Sequence, residues 1–446
     1  MLNIFQIDTA PSIVQHPTHT QKDSEFDFDR NAPLKCEQAI IKPCHCPIHQ
    51  PPVRKKLTVL ILDVWQREYD VRPYQNLLIH KKFFEDRLHH QFGEEDMDIL
   101  LAFLAKRKIV NLELLYINLS LTIDKMDLFI DRLRGITWLS LVNVDLPAPL
   151  LKLFSDHVEE LKIKLLRLTG NRLTKTHVEY LRCFVKYSSV LEYLDVGYCY
   201  LDEIRFAIVA DGVKNSKSLK GVDMSKIETQ SRISVVDETK ISLIISTLIW
   251  TGTLVEVHFK SCFLDCHCME PIAEYIATNP TLLYLDLGVN KIGPKGVSTL
   301  LKAIKAGNKL KGLNLSYNQL GKHGGEIVAH CLPKTKIRFL DISYNTINAE
   351  SIHLILSTIK KSTPIRILNI AGNKFNSEGG RMLHRQIAAG VLILETIDVN
   401  VVYDNELDEF HQQYFPSQWK VPKAIPIIKP EKRPNYPVNY RVLSAF

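Results

Sequence analysis

Apolar and polar positions follow two periods along most of this chain, one after the other. In LYLDLGVN (283–290), KGLNLSYN (311–318), IRFLDISYN (337–345) and IRILNIAGN (365–373) apolar residues fall at alternate positions, and each phrase closes on an asparagine. That alternation is the mark of a short strand with one buried face. After Asn290 the period changes. Ile292, Val297, Leu300, Leu301 and Ile304 recur at helical spacing, with Gly296 at the tight entry to the helix. Gly324 and Gly379 hold the same place after Asn318 and Asn373. Strand, polar turn and helix thus form one unit, and the asparagines Asn290, Asn318, Asn345 and Asn373 recur at steps of 28, 27 and 28 residues.

Walking backward at this step puts Cys262, Ile227, Cys199, Asn171 and Val144 in the asparagine slot, with spacings of 35, 28, 28 and 27. Walking forward, LETIDVNVV puts Val402 there after a step of 29. That makes ten repeats, and LELLYINLS (112–120), which is out of register, is a candidate eleventh. The slot is expected to act as a ladder: an inward asparagine amide can donate to and accept from backbone groups of neighbouring turns, stacking one coil on the next. Asn171, Cys199, Cys262, Asn290, Asn318, Asn345 and Asn373 are the residues assigned to it. The step of 35 leaves a surplus of seven residues, expected as a surface loop in the polar run Glu228–Thr239 ahead of an apolar helix Lys240–Trp250.

The phrase LxxLxLxxN with a full helix in each step resembles the ribonuclease-inhibitor class of leucine-rich repeats, over roughly residues 110–405. The resemblance implies an α/β solenoid, a horseshoe with parallel strands on its concave face and helices on its convex face. Function is then expected on surfaces rather than in a pocket.

The remaining chain divides into three pieces. Residues 1–56 are polar and charged, as in KDSEFDFDR, and read as a disordered tail. Residues 57–109 read as a helical cap over the first repeat, with Phe83, Phe84, Leu88, Phe92, Ile99, Leu100 and Leu104 on inward faces. Residues 406–446 close the array and continue into a basic tail with prolines at 422, 426, 430 and 434. Lys420, Lys423, Lys429, Lys432, Arg433 and Arg441 against Glu431 give that tail +5 of a total of +7. Such a segment is extended and either floats or lies along another surface.

Composition narrows the class of protein. No apolar run reaches 18 residues, so no membrane span is expected, and the first residues lack the basic-then-apolar order of a secretory signal. A cytoplasmic chain with reduced cysteines follows, since Cys199, Cys262 and Cys268 already have packing places in the repeat. Cys36, Cys44, Cys46 and His49 contain a CxCxxH run that could hold zinc, but the second separated ligand pair is missing. Cys266 and His267 add density without register, so no metal site and no cofactor are assigned. There is no GxSxG, HExxH or paired-acid motif, and GVNKIGPKG is a strand-to-helix turn rather than a phosphate loop. The expectation is therefore not an enzyme, and only the basic tail points to nucleic acid.

The strand phrase also assigns the concave face. Its central column reads Arg167, Asp195, Asp223, His258, Asp286, Asn314, Asp341, Asn369 and Asp398, with Tyr198, Tyr317 and Tyr344 just before the ladder slot and Tyr193, Tyr284 and Phe339 beside the stripe. Aromatics flanked by charge are the usual chemistry of a protein interface. Asp195, Asp223, Asp286, Asp341, Asp398, Tyr198, Tyr317 and Tyr344 are the partner-binding candidates. A narrower resemblance joins them: KKFFEDRL ahead of the array and LETIDVNVVYDNELDEF at its end look like the leucine-rich-repeat subunit of the axonemal nexin–dynein regulatory complex, the T-complex-associated testis-expressed type. This chain lacks that family's longer N-terminal part. The resemblance implies a ciliary or flagellar scaffold with other complex subunits as partners. Ran GTPase-activating proteins share the horseshoe and give the alternative reading, although their C-terminal extension is acidic and this one is basic. A nucleotide sensor of the NACHT type would need a P-loop module that the motifs do not supply.

Overall fold

The computed structural model describes residues 62, 65–67, 69, 70, 75–82, 92–229, 236–305, 309–393, 396–404, 409–414, 427, 428, 440 and 441. Eleven strands form one sheet in chain order, and every neighbouring pair is parallel. They are β1 Asn76–His80, β2 Asn111–Leu115, β3 Trp138–Val142, β4 Leu165–Arg167, β5 Tyr193–Asp195, β6 Gly221–Asp223, β7 Glu256–His258, β8 Tyr284–Asp286, β9 Gly312–Asn314, β10 Phe339–Asp341 and β11 Ile367–Asn369. A helix follows each strand, from Glu94–Lys106 to Ser377–Ala388. This is the α/β leucine-rich-repeat horseshoe. The middle residue of each short strand, such as Leu194, Val222, Val257, Leu285, Leu313 and Leu340, is buried against the helices in one continuous apolar core. Its two neighbours must then point to the opposite face.

The helices start where the sequence supplies a cap. Three residues after the ladder slot, Asp202 accepts the N–H of Arg205, Asn348 that of Ser351, and Asn376 that of Gly379. Each satisfies an amide that the first helical turn leaves without a partner. Asp265 occupies the same place and accepts the N–H groups of His267 and Cys268. Its proximity to Cys266 and His267 therefore has a structural cause.

The slot itself is a hydrogen-bonded ladder. Asn345 Nδ2 donates to Leu315 O at 2.8 Å, Ile342 O at 3.0 Å and Ser343 O at 3.1 Å, while its Oδ1 accepts from Asn318 N at 2.7 Å and Leu320 N at 3.4 Å. Asn373 does the same one repeat on, accepting from Asn345 N and Ile347 N, each at 3.0 Å. Asn290 and Asn171 reach Phe259 O and Leu141 O in the preceding turns, and Asn318 reaches Leu287 O. Cys199 and Cys262 donate from sulfur to Leu168 O and Met224 O. Burial pushes both thiols well up, so they stay protonated.

Three expectations need correction. The 57–109 cap is not wholly helical: NLLIH forms β1, whose Leu77 and Ile79 are buried like any repeat strand. Most of the stretch KKFFEDRLHHQF lies outside the described residues. In β2 the register fixed by Leu112↔Leu139 places Ile117 in the slot opposite Val144, so the phrase that read as out of register is in step with the array. At the other end LETIDVNVV is not a repeat strand. Only Ile397 bridges Leu368, after which Val399–Asp404 turns away to pair antiparallel with Glu409–Tyr414, with Val402 opposite His411. The helix of the long repeat begins at Glu238 on its cap Asp237, and residues 230–235 of the expected loop lie outside the described part. So do the N-terminal tail with Cys36, Cys44, Cys46 and His49 and nearly all of the basic tail.

The ladder makes a stability prediction. Asn318→Leu takes one of two donors from each of the Leu287 and Ser316 carbonyls, leaves the buried Ile292 amide without its acceptor, and is expected to cost about 1–3 kcal/mol in denaturant unfolding. A loss below about 0.5 kcal/mol, the range of a surface change, would show that the amide carries no such role.

Candidate interaction surface

The residues on the outward face of the sheet come from the first and third positions of each strand. Along the third position run Glu113, Ser140, Arg167, Asp195, Asp223, His258, Asp286, Asn314, Asp341 and Asn369. Along the first run Trp138, Leu165, Tyr193, Gly221, Glu256, Tyr284, Gly312 and Phe339.

The carboxylates among them are largely engaged, which corrects the expectation of an open acidic stripe. Asp195, Asp223, Asp286 and Asp341 each accept the backbone N–H two residues on, from Gly197, Ser225, Gly288 and Ser343, at 2.9–3.0 Å. Asp195 also accepts the Thr169 hydroxyl at 2.7 Å and lies 3.2 Å from Arg167. Burial first, and then the neighbouring Asp223, push its carboxyl up to about 6. Asp398 follows Ile397, which bridges Leu368, and its carboxylate accepts Ile370 N and Ala371 N and so closes the last turn.

At the centre sits a charge network that spacing alone did not reveal. His258 Nε2 is 2.9 Å from Glu256 Oε1, His258 Nδ1 is 3.3 Å from Asp286 Oδ2, and Lys260 Nζ is 3.2 Å from the same oxygen. Burial alone would lower the His258 pKa, but the hydrogen bonds to Asp286 and Glu256 outweigh it and bring it up to about 10. Asp286 is opposed by burial too, yet Lys260 and His258 hold it down to about 2. The network is a column of charge folded into the sheet face rather than a free anion surface.

The tyrosines lie elsewhere, in the turns after the strands. The residue just before the ladder slot has positive φ in ten successive repeats: Tyr116, Asn143, Gly170, Tyr198, Lys226, Ser261, Val289, Tyr317, Tyr344 and Gly372. This left-handed backbone is natural for Gly and tolerable for Asn, but costs other residues about 1–2 kcal/mol. Tyr198, Tyr317 and Tyr344 accept it while remaining 51%, 49% and 45% exposed. The rings of Tyr317 and Tyr344 stack with centroids 4.5 Å apart and planes within 8°. Tyr344 in turn lies over Gly372, where a Cβ would meet its ring at 2.3 Å. The sequence did carry a signal for this column, because Gly170, Gly372 and Asn143 are the residue types that left-handed turns select. On the helix side, the long repeat opens a groove of about 560 Å³ with Ile204, Ala207, Ile208 and Ile244 on its floor and Glu179, Arg182, Asp211 and Lys240 at its rim.

The family model described as "Leucine Rich repeat" matches residues 278–301 and 361–383, which hold β8 with the entry to its helix and β11 with its ladder asparagine. The chain is a leucine-rich-repeat protein. Among curated relatives of this leucine-rich-repeat chain, the NACHT, LRR and PYD domains-containing protein 9C of Mus musculus is 25% identical over 241 residues, covering 47% of this chain and 23% of that protein. RAN GTPase-activating protein 2 of Arabidopsis thaliana is 27% identical over 118 residues, covering 26% of this chain and 22% of that protein. The matches thus span under a quarter of either relative's length. Among solved structures, an internalin from Listeria monocytogenes is similar at 15% identity, with a TM-score of 0.39 over 73% of this chain and 91% of that one. Leucine-rich repeats of this kind serve as protein-interaction scaffolds, and no helix among the described residues is long and apolar enough to cross a membrane.

The central network gives a pH prediction for the leucine-rich-repeat array. A histidine whose folded pKa is raised contributes stability that is fully present below its unfolded value near 6.5 and is lost as pH rises toward about 10. The melting-temperature gap between the wild type and His258→Gln should therefore be widest at pH 6 and narrow steadily by pH 9.5. A gap independent of pH would mean that His258 is not held protonated.

Proposed function

We propose that this protein is a non-enzymatic scaffold that captures a protein partner along the strand-end edge and outward face of its sheet. Tyr198, Tyr317 and Tyr344 serve as anchors, and Asp195, Asp223, Asp286 and Asp341 set the electrostatic register. The observation that carries this reading is the row of exposed aromatic side chains held on strained, hydrogen-bonded turns. Rigid aromatics of this kind offer large contact area with little ordering entropy to lose on binding. The turn, not the strand, presents them, so a partner would lie along the edge of the horseshoe and reach inward.

The assembly proposed is the ciliary or flagellar axonemal linker, with other subunits of the nexin–dynein regulatory complex as partners. What supports it is the sequence resemblance in KKFFEDRL and LETIDVNVVYDNELDEF, together with the hairpin Val399–Asp404/Glu409–Tyr414 that the second phrase forms. The alternative is a small-GTPase regulator, favoured by the similarity of 118 residues to a RAN GTPase-activating protein. Localisation of the tagged full-length protein decides between them: an axonemal signal supports the first reading, and a nuclear-rim signal overturns it in favour of the second.

Within either assembly the anchors are testable. Tyr317→Ala and Tyr344→Ala are each expected to weaken partner binding by about 2 kcal/mol or more, the range of interface hot spots. A pull-down in which the double variant still captures the partner, while removal of residues 416–446 abolishes capture, would move the binding site to the tail.

A further inference from the structure

The edge of the array where the chain enters its last strands carries positive charge that nothing among the described residues balances. Three successive helix-to-strand segments, KLK (309–311), KTKIR (334–338) and KKSTPIR (360–366), hold eight lysines and arginines and no acidic residue, in a chain whose 56 basic and 49 acidic residues otherwise nearly cancel. The sheet brings these cations together. Gly312, Phe339 and Ile367 are in register across β9, β10 and β11, and just ahead of them Arg338 N donates to Lys311 O at 2.7 Å and Arg366 N to Arg338 O at 2.8 Å. Lys311, Arg338 and Arg366 thus form one column at steps of about 4.8 Å. Lys309 and Lys336 lie two residues back along the chain.

Part of this charge has a local cause. Lys334, Lys360 and Lys361 follow the helices Gly321–Cys331 and Ala349–Thr358, where cations complement the carbonyl ends, and Arg366 Nη1 donates to Thr363 O and Ile365 O at 3.1 and 2.7 Å. Lys309, Lys311, Lys336 and Arg338 have no such use. Their side chains make no hydrogen bond or ion pair among the described residues, and Lys309, Lys336 and Arg338 are exposed. Their mutual repulsion is felt at Lys311: burial first, and then Arg338 and Lys336, hold its ammonium below the ordinary lysine value. Like charges set opposite one another across strands are destabilising. Earlier in the same column the fold avoids that cost, because Glu192 stands between Lys164 and Lys220 and lies 3.5 Å from Lys164. At β9–β11 the cost is left in place, and an anion from outside relieves it.

We propose that the strand-entry edge of β9–β11 is a docking site for an acidic helix of a protein partner, one that carries its carboxylates in a single stripe. The step of the column favours a helix. Residues at i, i+3 and i+4 advance about 4.5–6 Å along a helix axis and keep pace with strands about 4.8 Å apart, whereas same-side residues of an extended chain are about 6.6 Å apart and fall out of step. Other polyanions lack a foothold here. The three segments contain no aromatic residue on which a base could stack, and their apolar residues Leu310, Ile337 and Ile365 all lie in the core, with nothing left to enter a bilayer. The site goes beyond the tyrosine edge and does not rest on it. Tyr317 is six positions on from Lys311, on the order of 20 Å at ~3.3 Å per residue, and a helix about 10–12 Å across covers one edge and leaves the other free.

The test titrates the full-length protein with a labelled, stapled helical peptide of about 20 residues whose glutamates form one stripe at i, i+4 and i+7. A second peptide has the same composition with its glutamates spread round the helix. The striped peptide should bind about tenfold more tightly than the spread one, and its affinity should fall about tenfold between 50 and 500 mM salt. Lys311→Gln with Arg338→Gln should weaken it about tenfold as well, while Lys295→Gln with Lys302→Gln, which removes equal charge from the helix Gly293–Lys305, should leave it within about twofold. Lys311→Glu with Arg338→Glu should instead capture a lysine-striped peptide, which also shows that this variant folds. Tyr317→Ala with Tyr344→Ala should leave the striped peptide bound as before, so failure at one edge is told apart from failure at the other. Equal binding of the two peptides, equal losses from the two Gln pairs, or tighter binding of a single-stranded oligonucleotide or of phosphatidylserine vesicles would overturn the proposal.

Discussion

A buried peptide group must find a hydrogen-bond partner, and in this molecule the requirement recurs once per repeat at the turn between strand and helix. A helix satisfies itself internally and a strand pairs with its neighbours, but the turn between them can do neither. The ladder asparagine meets the need because its amide carries two donors and an acceptor at one position, enough to bind its own turn and reach into the preceding one. Where the slot holds Ile227 the side chain can contribute nothing. Backbone takes over, with Ile227 N donating to Ser261 O and Glu228 N to Leu201 O. It is after this residue that the repeat lengthens to 35.

The same constraint shapes the surface. To aim successive carbonyls at an inward amide the backbone must reverse its hand on the residue just before the slot, and in several repeats on the residue just after it, as at Tyr200, Phe263, Gln319 and Thr346. Side chains on left-handed residues project outward, so whatever occupies these positions is displayed. Tyrosine there, stacked on its neighbour and on Gly372, is both displayed and immobilised. The aromatic edge is thus a by-product of how the solenoid satisfies its interior. Its rigidity has the same origin as its stability.

Nine of the eleven strands were legible from the alternation and the slot, because each of those phrases repeats a pattern that local chemistry enforces. β1 was missed because NLLIH ends on His80–Lys81–Lys82, with no asparagine to announce a turn, and lies 35 residues ahead of β2 rather than 28. The supposed strand at Val402 was over-read for the opposite reason. LETIDVNVV alternates well, and alternation reports a strand without saying whether its partner is parallel or antiparallel. Which side chains face outward was legible for the same columns; how much water reaches them was not. Periodicity gives direction, whereas burial depends on chain far away in sequence, so the network of Glu256, His258, Lys260 and Asp286 had no sequence signal beyond charged residues in register.

The sheet therefore presents two surfaces that differ in what a partner must do. The tyrosine edge is exposed and preorganised, and contact there displaces only water. The carboxylate columns are largely buried, their charges already engaged within the sheet, and contact there must replace each existing interaction with one at least as good, since a carboxylate left alone in that environment is strongly penalised. A partner that reads both gains the face only by bringing cations of its own, and its affinity falls with salt as the edge's does not. Selectivity then comes less from the strength of any one contact than from the requirement that aromatic and cationic contacts be made together.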